Sequence, residues 1–420
     1  MSRHDIIRLR GEEHLSPSQM AAELSHLPGF FFLDSSTTDS GERSEAHSRF
    51  SLITGQPASV IRGNVFDEGD LSRLRAVYER NRSPEESTPD LGFPGAGLYG
   101  YVTYEGEFVF GEYHEFLAYD HRLGQWTGSG NLSSQRRPFS AKAANPITFT
   151  DNLNRQQYCD LVSKAQDYIA AGDIYQVNLA HQFTAPLPEN FDAISLYQRL
   201  RECSPAPFAA FARLGERIVM SSSPEQFLSI SGKTIQTRPI KGTRPRFRDL
   251  EKDEKSAYDL ITSPKEVAEL VMITDLERND LGQICEYGSV RATELLKLER
   301  YAQVFHLVST IEGTLRKDVG PIDALQACFP GGSITGAPKK RAREIIRELE
   351  PCPRGLYTGA IGCFGFNGES RFNIAIRTLV AENGVLHFHV GAGIVADSIP
   401  EREWEETLHK AAGILQACEG

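Results

Sequence analysis

Short apolar runs, several with polar residues at every second position, recur along the whole chain and predict β-strands. Examples are 29–34 (GFFFLD), 97–104 (GLYGYVTY), 216–221 (ERIVMS) and 384–390 (GVLHFHV). Between them, apolar residues three and four apart predict helices over 154–171, 264–276, 338–349 and 401–417. Ser263-Pro264, Ala337-Pro338 and Ser398-Ile399-Pro400 place a proline at the first turn of the last three, where its missing N–H is tolerated. Strands and helices mix without a regular βαβ alternation, which argues for an α+β fold over a doubly wound sheet. Two polar, turn-rich runs, 38–49 and 124–146, interrupt the pattern. The second marks a boundary between a region 1–148 and a region 149–420.

Composition narrows the function classes. With 420 residues, 40% of them hydrophobic, a sizeable core is expected. A formal net charge of −11 argues against a nucleic-acid or anionic-membrane partner, so any anion site must be locally basic. No run approaches transmembrane length, and the first 20 residues mix charge throughout, unlike a signal peptide. Seven scattered cysteines without a Cys-x-x-Cys pair indicate neither zinc nor a disulfide framework, and fit a reducing cytoplasm.

Several segments carry candidate chemistry. Lys241 lies in Thr237-Arg-Pro-Ile-Lys-Gly-Thr-Arg244, between a residue that fixes φ and one that frees it. Taken alone it is a solvated lysine. Glu266 and Glu269 share one helix face, and Glu403 and Glu406 repeat the spacing. Such pairs are ordinary on solvated helices, but two facing pairs could hold Mg²⁺, which prefers oxygen ligands. The run 329–341 (FPGGSITGAPKKR) is glycine-rich and leads into a helix start that suits an anion, with Thr335 inside it and Lys339 adding charge. It is not a nucleotide-binding P-loop, because no Gly-Lys-Ser/Thr closes it. Gly391-Ala392-Gly393 follows a strand and admits close backbone approach. Glu225 and His306 are acid/base candidates; the blander readings are a solvated turn residue and a core histidine. Arg377 in a strand-like run requires a carboxylate partner.

In order, these segments resemble the chorismate-utilising enzymes of the anthranilate synthase component I type. The resemblance is strongest from about 150 onward. It rests on Ala171–Ala180 (AGDIYQVNLA), Ser221–Leu228 (SSSPEQFL), the 237–244 run, Ala268–Gly282, the 329–339 loop and Gly391–Val395 (GAGIV). It is looser at Phe32–Ser36, Arg49–Ile53 and Gly97–Tyr101. It implies two large antiparallel β-sheets packed as a sandwich with helices outside, both regions interwoven in one unit. It implies Mg²⁺ on Glu269 and Glu406, with Glu266 and Glu403 in support, holding the ring carboxylate of chorismate. Arg377, Tyr357 and the backbone at Gly391, Ala392 and Gly393 would hold the enolpyruvyl carboxylate, with Thr335 and Lys339 nearby. Glu225 would act at the C4 hydroxyl and His306 near the leaving hydroxyl.

Lys241 selects a branch within that family. Anthranilate synthases carry a small residue there, usually alanine; enzymes that aminate C4 carry lysine, which attacks C2 and is later expelled by ammonia. The amine must be partly neutral, which nearby Arg238 or Arg244 would favour. Isochorismate and salicylate synthases have a base lysine where Gln176 stands, and glutamine cannot take water's proton, so ammonia is the expected nucleophile. The expected reaction is that of an aminodeoxychorismate synthase component I in p-aminobenzoate and folate biosynthesis. No Gly-x-Cys with a partnering His-x-Glu appears, so a separate glutamine amidotransferase subunit would deliver ammonia. Relatives bind tryptophan near 32–36, and Asp34-Ser35-Ser36 with 171–178 are the expected lining here. The alternatives are anthranilate synthesis and a non-catalytic binder of tryptophan or a partner.

Overall fold

Period-two alternation decides which face each strand buries. In the strand Gly97–Val102, Tyr99 and Tyr101 face one core while Leu98 and Val102 face another. The computed structural model describes residues 6–9, 11–12, 14–35, 49–83, 91–141, 146–301 and 303–419. Within them, strands pair antiparallel into a twelve-stranded and a ten-stranded sheet. Phe31, Ala210, Ala212, Val219 and Val380 of the larger sheet pack against Tyr99, Tyr101, Val109, Ile361 and Cys363 of the smaller, forming the sandwich. Fully burying one such phenylalanine contributes about 1.5–3 kcal/mol. Helices cover the outer faces: Pro17–Leu24, Ala193–Cys203 and Pro400–Cys418 lie over one core. Glu68–Asn81, Arg155–Ala170, Pro321–Cys328 and Lys339–Leu349 lie over another.

Strands from before and after residue 148 meet in both sheets. Phe31–Asp34 pairs with Phe208–Leu214 in the larger, and Gly97–Val102 pairs with Ala360–Gly365 in the smaller. The polar run 124–146 is no plain linker, since it opens with the strand Gln125–Ser129, whose Trp126 is fully buried. Ser36, residues 38–48 and residues 142–145 of the sequence readings lie outside the described residues.

The four expected helices are present, and two of them carry side-chain caps. Asn154 and Gln157 form a capping box before Arg155–Ala170, and Ser263 caps Pro264–Gly282 with Pro264 at its first position. Pro338 sits one residue before its helix, at the cap of Lys339–Leu349, and lacks a side-chain bond there. Glu68–Asn81, Ala193–Cys203 and Leu250–Ile261 were not anticipated, yet Asp67, Asp192 and Asp249 cap them. Val385–Ile394 outruns its predicted end, so Gly391-Ala392-Gly393 lie inside a strand, paired with Gln176–Pro186. None of the seven cysteines is disulfide-bonded. Among the described residues no helix is long and apolar enough to cross a membrane.

Candidate active site

The first two turns of two helices, Pro264–Gly282 and Pro400–Cys418, bring four glutamates together. Lys265 Nζ lies 3.0 Å from Glu403 Oε1 and 3.9 Å from Glu269 Oε1, bridging the helices. Lys410 Nζ lies 2.7 Å from Glu406 Oε1 and donates at 2.9 Å to the Gly391 carbonyl. Glu269 and Glu403 are buried, Glu266 is half-buried and Glu406 is exposed. Sitting near helix N-termini, the carboxylates gain from the positive end of each helix dipole. Burial raises the Glu266 carboxyl, and the Glu406 charge raises it further. Burial raises Glu269 too, against Lys241 and Lys265. For Glu406, at the exposed edge of the cluster, the cost of partial desolvation is outweighed by Lys410 and its carboxyl stays below the usual range. As they stand, no three His, Cys, Asp or Glu side chains among the described residues converge on one ion position. Glu269 Oε1 and Glu403 Oε2 are nevertheless buried without a hydrogen-bond partner there. An all-oxygen donor set with free inner oxygens fits a hard cation such as Mg²⁺.

Lys241 lies above this cluster, on the strand Ile240–Pro245. A bulge at Gly242, φ +75°, re-aims it. The positive φ strains any L side chain there, and a Cβ would also stand 2.6 Å from Leu260 Cδ1 and 3.0 Å from Glu266 Oε2. Lys241 Nζ donates to the Ser333 carbonyl at 3.2 Å. Its charged surroundings are Glu225, Glu266, Glu269 and Glu406. Arg238 is bound to Glu299, and to Thr310 at 3.2 Å, while Arg244 is exposed.

Glu225, far from being a solvated turn residue, is 4% exposed. Burial holds its carboxyl above the usual range, against the Ser333 hydroxyl and Lys241. Glu225 Oε1 and Ser333 Oγ approach without hydrogen-bond geometry, and both lack partners among the described residues. His306 is buried on Val304–Thr314, with Nδ1 3.0 Å from Thr243 Oγ1. Burial, aided by the Arg377 charge, pushes its imidazole down to about 3, so it is neutral at physiological pH. Arg377 is not in a strand. It occupies the turn where the chain leaves Glu369–Ile374 in one sheet for Thr378–Glu382 in the other, at φ +48°. No ion pair or side-chain hydrogen bond engages Arg377 among the described residues, so the carboxylate expected to meet it is not one of the protein's there. Burial alone lowers its guanidinium. An anion from outside the chain would satisfy it.

The strand Val385–Ile394 forms the opposite wall. A Cβ on Gly393 would stand 2.5 Å from Gln176 Nε2 and 3.6 Å from Lys241 Nζ; one on Gly391 would stand 2.9 Å from both Asn178 Oδ1 and Tyr357 Oη. The Leu179 carbonyl, 2.6 Å from the Cβ position of Gly391, leaves no room for a side chain there, while Ala392 turns its methyl into the core at ordinary φ. Two residues read as ligand groups are engaged elsewhere. The Thr335 hydroxyl donates to Gly331 O and Gly332 O at 3.0 and 3.2 Å. Lys339 Nζ is held 2.5 Å from Asp280 Oδ2 and 3.0 Å from Cys328 O.

Sequence reasoning missed Arg354, which is 1% exposed. It donates to Asn178 O, Ile334 O, Thr358 Oγ1 and Glu350, tying the strand, the glycine-rich loop and the Tyr357 turn together. The Glu350-x-x-x-Arg354 spacing was its one available signal. Glu277 was also missed. Buried below Gly332 and accepting from Thr237 Oγ1 at 2.7 Å, its carboxyl is pushed up by burial to about 8.

A separate cavity of about 220 Å³ opens by Leu33, Asp34, Ser35, Pro207, Phe208 and Arg371. The 171–178 run does not line it; Gln176 and Asn178 face the Lys241 cleft instead. The Asp34 carboxylate accepts from Tyr197 Oη at 3.0 Å and Arg201 Nε at 2.9 Å.

Eleven buried side-chain oxygens lack hydrogen-bond partners among the described residues, and six of them surround the cleft: Gln176, Asn178, Glu225, Glu269, Ser333 and Glu403. Because unpaired buried polar atoms are costly, such a concentration marks a ligand site. A family model described as chorismate binding enzyme matches residues 70–416. The chain is 39% identical to anthranilate synthase component 1 of Thermus thermophilus over 382 residues, 82% of each chain. It is 37% identical to aminodeoxychorismate synthase component 1 of Escherichia coli over 437 residues, 95% of each. A crystal structure of anthranilate synthase component I from Streptococcus pneumoniae, 28% identical, matches with a TM-score of 0.76 over 99% of this chain and 100% of that one. With two thirds and more of such relatives spanned by one continuous similarity, and the fold shared, the chain belongs to the family of chorismate-binding enzymes.

Proposed function

We propose that the protein converts chorismate and ammonia to 4-amino-4-deoxychorismate, the reaction of an aminodeoxychorismate synthase component I on the path to p-aminobenzoate and folate. The observation that carries this reading is the set of unpartnered polar atoms gathered around a half-buried Lys241. Near-equal identity to an anthranilate and an aminodeoxychorismate synthase leaves the choice to individual residues, and Lys241 with Gln176 makes it.

Arg377 and the backbone at 391–393, with Tyr357 beside them, would receive the enolpyruvyl carboxylate. Glu266, Glu269, Glu403 and Glu406 would hold Mg²⁺, which would supply positive charge for the ring carboxylate. Lys241 Nζ then donates its lone pair to C2. The two ring π pairs each move one bond along, and the C4–O bond breaks. Glu225 gives its proton to the departing hydroxyl, which leaves as water. Ammonia adds at C4 by the reverse shift, the C2–N bond breaks, and Lys241 regains its lone pair. A neutral His306 serves as a hydrogen-bonding group near the leaving hydroxyl, not as an acid. A separate glutaminase subunit would supply the ammonia, and the cavity near Asp34 is the place for tryptophan, if bound, in contact with Pro207 and Phe208.

Product identification by mass and ultraviolet spectrum tests the reading, using the full chain with chorismate, Mg²⁺ and ammonium. The expected product retains the enolpyruvyl group. Lys241→Ala is expected to lower its formation by roughly 10³-fold or more. Anthranilate with released pyruvate would establish the second reaction; no turnover, with a glutaminase partner also supplied, would favour a binder.

A further inference from the structure

We infer that Lys265 and Lys410 are resident counter-cations of the four-glutamate cluster, and that a divalent ion enters by displacing both. The inference rests on the proposed reading of those glutamates as cation ligands. Each lysine holds a different part of the set: Lys265 reaches Glu403 at 3.0 Å and Glu269 at 3.9 Å, Lys410 reaches Glu406 at 2.7 Å. The carboxylates are thereby drawn towards two separate ammonium groups, which explains why no three converge on one ion position among the described residues.

The lysines leave two buried oxygens of the cluster without a hydrogen bond. Glu403 meets Lys265 through Oε1 while its buried Oε2 has no partner, and Glu269 Oε1 makes only the long contact to Lys265. An ammonium group and a dication compete for the same lone pairs, and like charges repel at this range. Both lysines have somewhere to go. Their side chains are 43% and 41% exposed, so each stem can carry its charge into water when released. Lys410 also donates to the Gly391 carbonyl at 2.9 Å, so its release would free an acceptor on the strand that lines the cleft.

The test is calorimetric titration of Mg²⁺, with Mn²⁺ as a spectroscopic probe, into the full chain and its Lys265→Met, Lys265→Arg and Lys410→Met variants. Loss of a competing ammonium is expected to tighten ion binding by roughly two- to fivefold in each Met variant, the size of a half-exposed ion pair. Lys265→Arg, which keeps the charge, is expected to stay near wild type. Without metal the Met variants should melt earlier than wild type, and the metal-induced rise in Tm should be larger. If a Met variant does not fold, Lys265→Gln and Lys410→Gln carry the same comparison. Met or Gln variants that bind the ion as weakly as wild type, or more weakly, overturn the inference while leaving the ligand reading intact. A wild type that binds no Mg²⁺, or whose affinity is unmoved by Glu269→Gln and Glu406→Gln, overturns the ligand reading and this inference with it.

Discussion

Asp34 and Glu225 are both buried carboxylates next to strand ends, in two cavities of one sandwich, yet their surroundings differ in kind. Asp34 is fully engaged by Tyr197, Arg201 and Ser51, so its charge is balanced inside the protein. Glu225 keeps an oxygen without a donor and is held towards its neutral form by burial. A buried acid whose partners are all internal holds the fold. One left incomplete is waiting for a ligand or a proton. The same contrast separates Arg354, saturated with acceptors, from Arg377, which has none among the described residues.

Substitutions can break this contrast. Asp34→Ala is expected to cost about 3 kcal/mol in urea unfolding, because Arg201 loses its counter-charge, with kcat of the folded enzyme unchanged. A large loss of kcat instead would place Asp34 in the chemistry. Glu225→Gln should reverse that signature: stability near wild type and kcat lower by about 10²-fold, since an amide cannot deliver the proton. Arg377→Met is expected to raise KM for chorismate by roughly tenfold, with little loss of stability, as a charged group without an internal partner is removed. Arg354→Met, by contrast, would unfold first.

Glu277 sharpens the comparison through its pH dependence. Its carboxyl, raised from 4.5 to about 8, holds a proton in the folded state that the unfolded chain releases earlier. Its stabilising contribution is therefore complete below about pH 4.5 and declines as pH rises to about 8, by up to about 1.4 kcal/mol per pH unit. Glu277→Gln should lack this slope. Parallel stability–pH curves for the two proteins, from denaturant melts, would show that Glu277 is ordinarily ionised.

Much of the fold was readable because local physics writes it. A β-rich apolar run gave the strand Gly97–Val102, and Ser263-Pro264 gave a helix start that the structure uses. Asp67, Asp192 and Asp249 were equally plain caps that went unread. The site was legible unevenly. Pro239 and Gly242 flag Lys241 locally, and the glutamate spacing flags two helix faces, but the blander reading of each was the better one until long-range order entered. Thr335 and Lys339 show the limit from the other side. Both lie in a loop that suits an anion, yet Lys339 goes to Asp280, 59 residues away in sequence.

By itself, then, the sequence determined the period of each element, where helices begin, where glycine must stand, and the order of motifs that identifies the family. Only the tertiary structure decided the rest. It set which carboxylates meet across Pro264–Gly282 and Pro400–Cys418, which lysines neutralise them, and which of two buried acids is left unsatisfied. The reason is physical: helix and strand periodicity act over a few neighbouring residues, whereas desolvation and ion pairing depend on groups that only the packed sheets bring within reach.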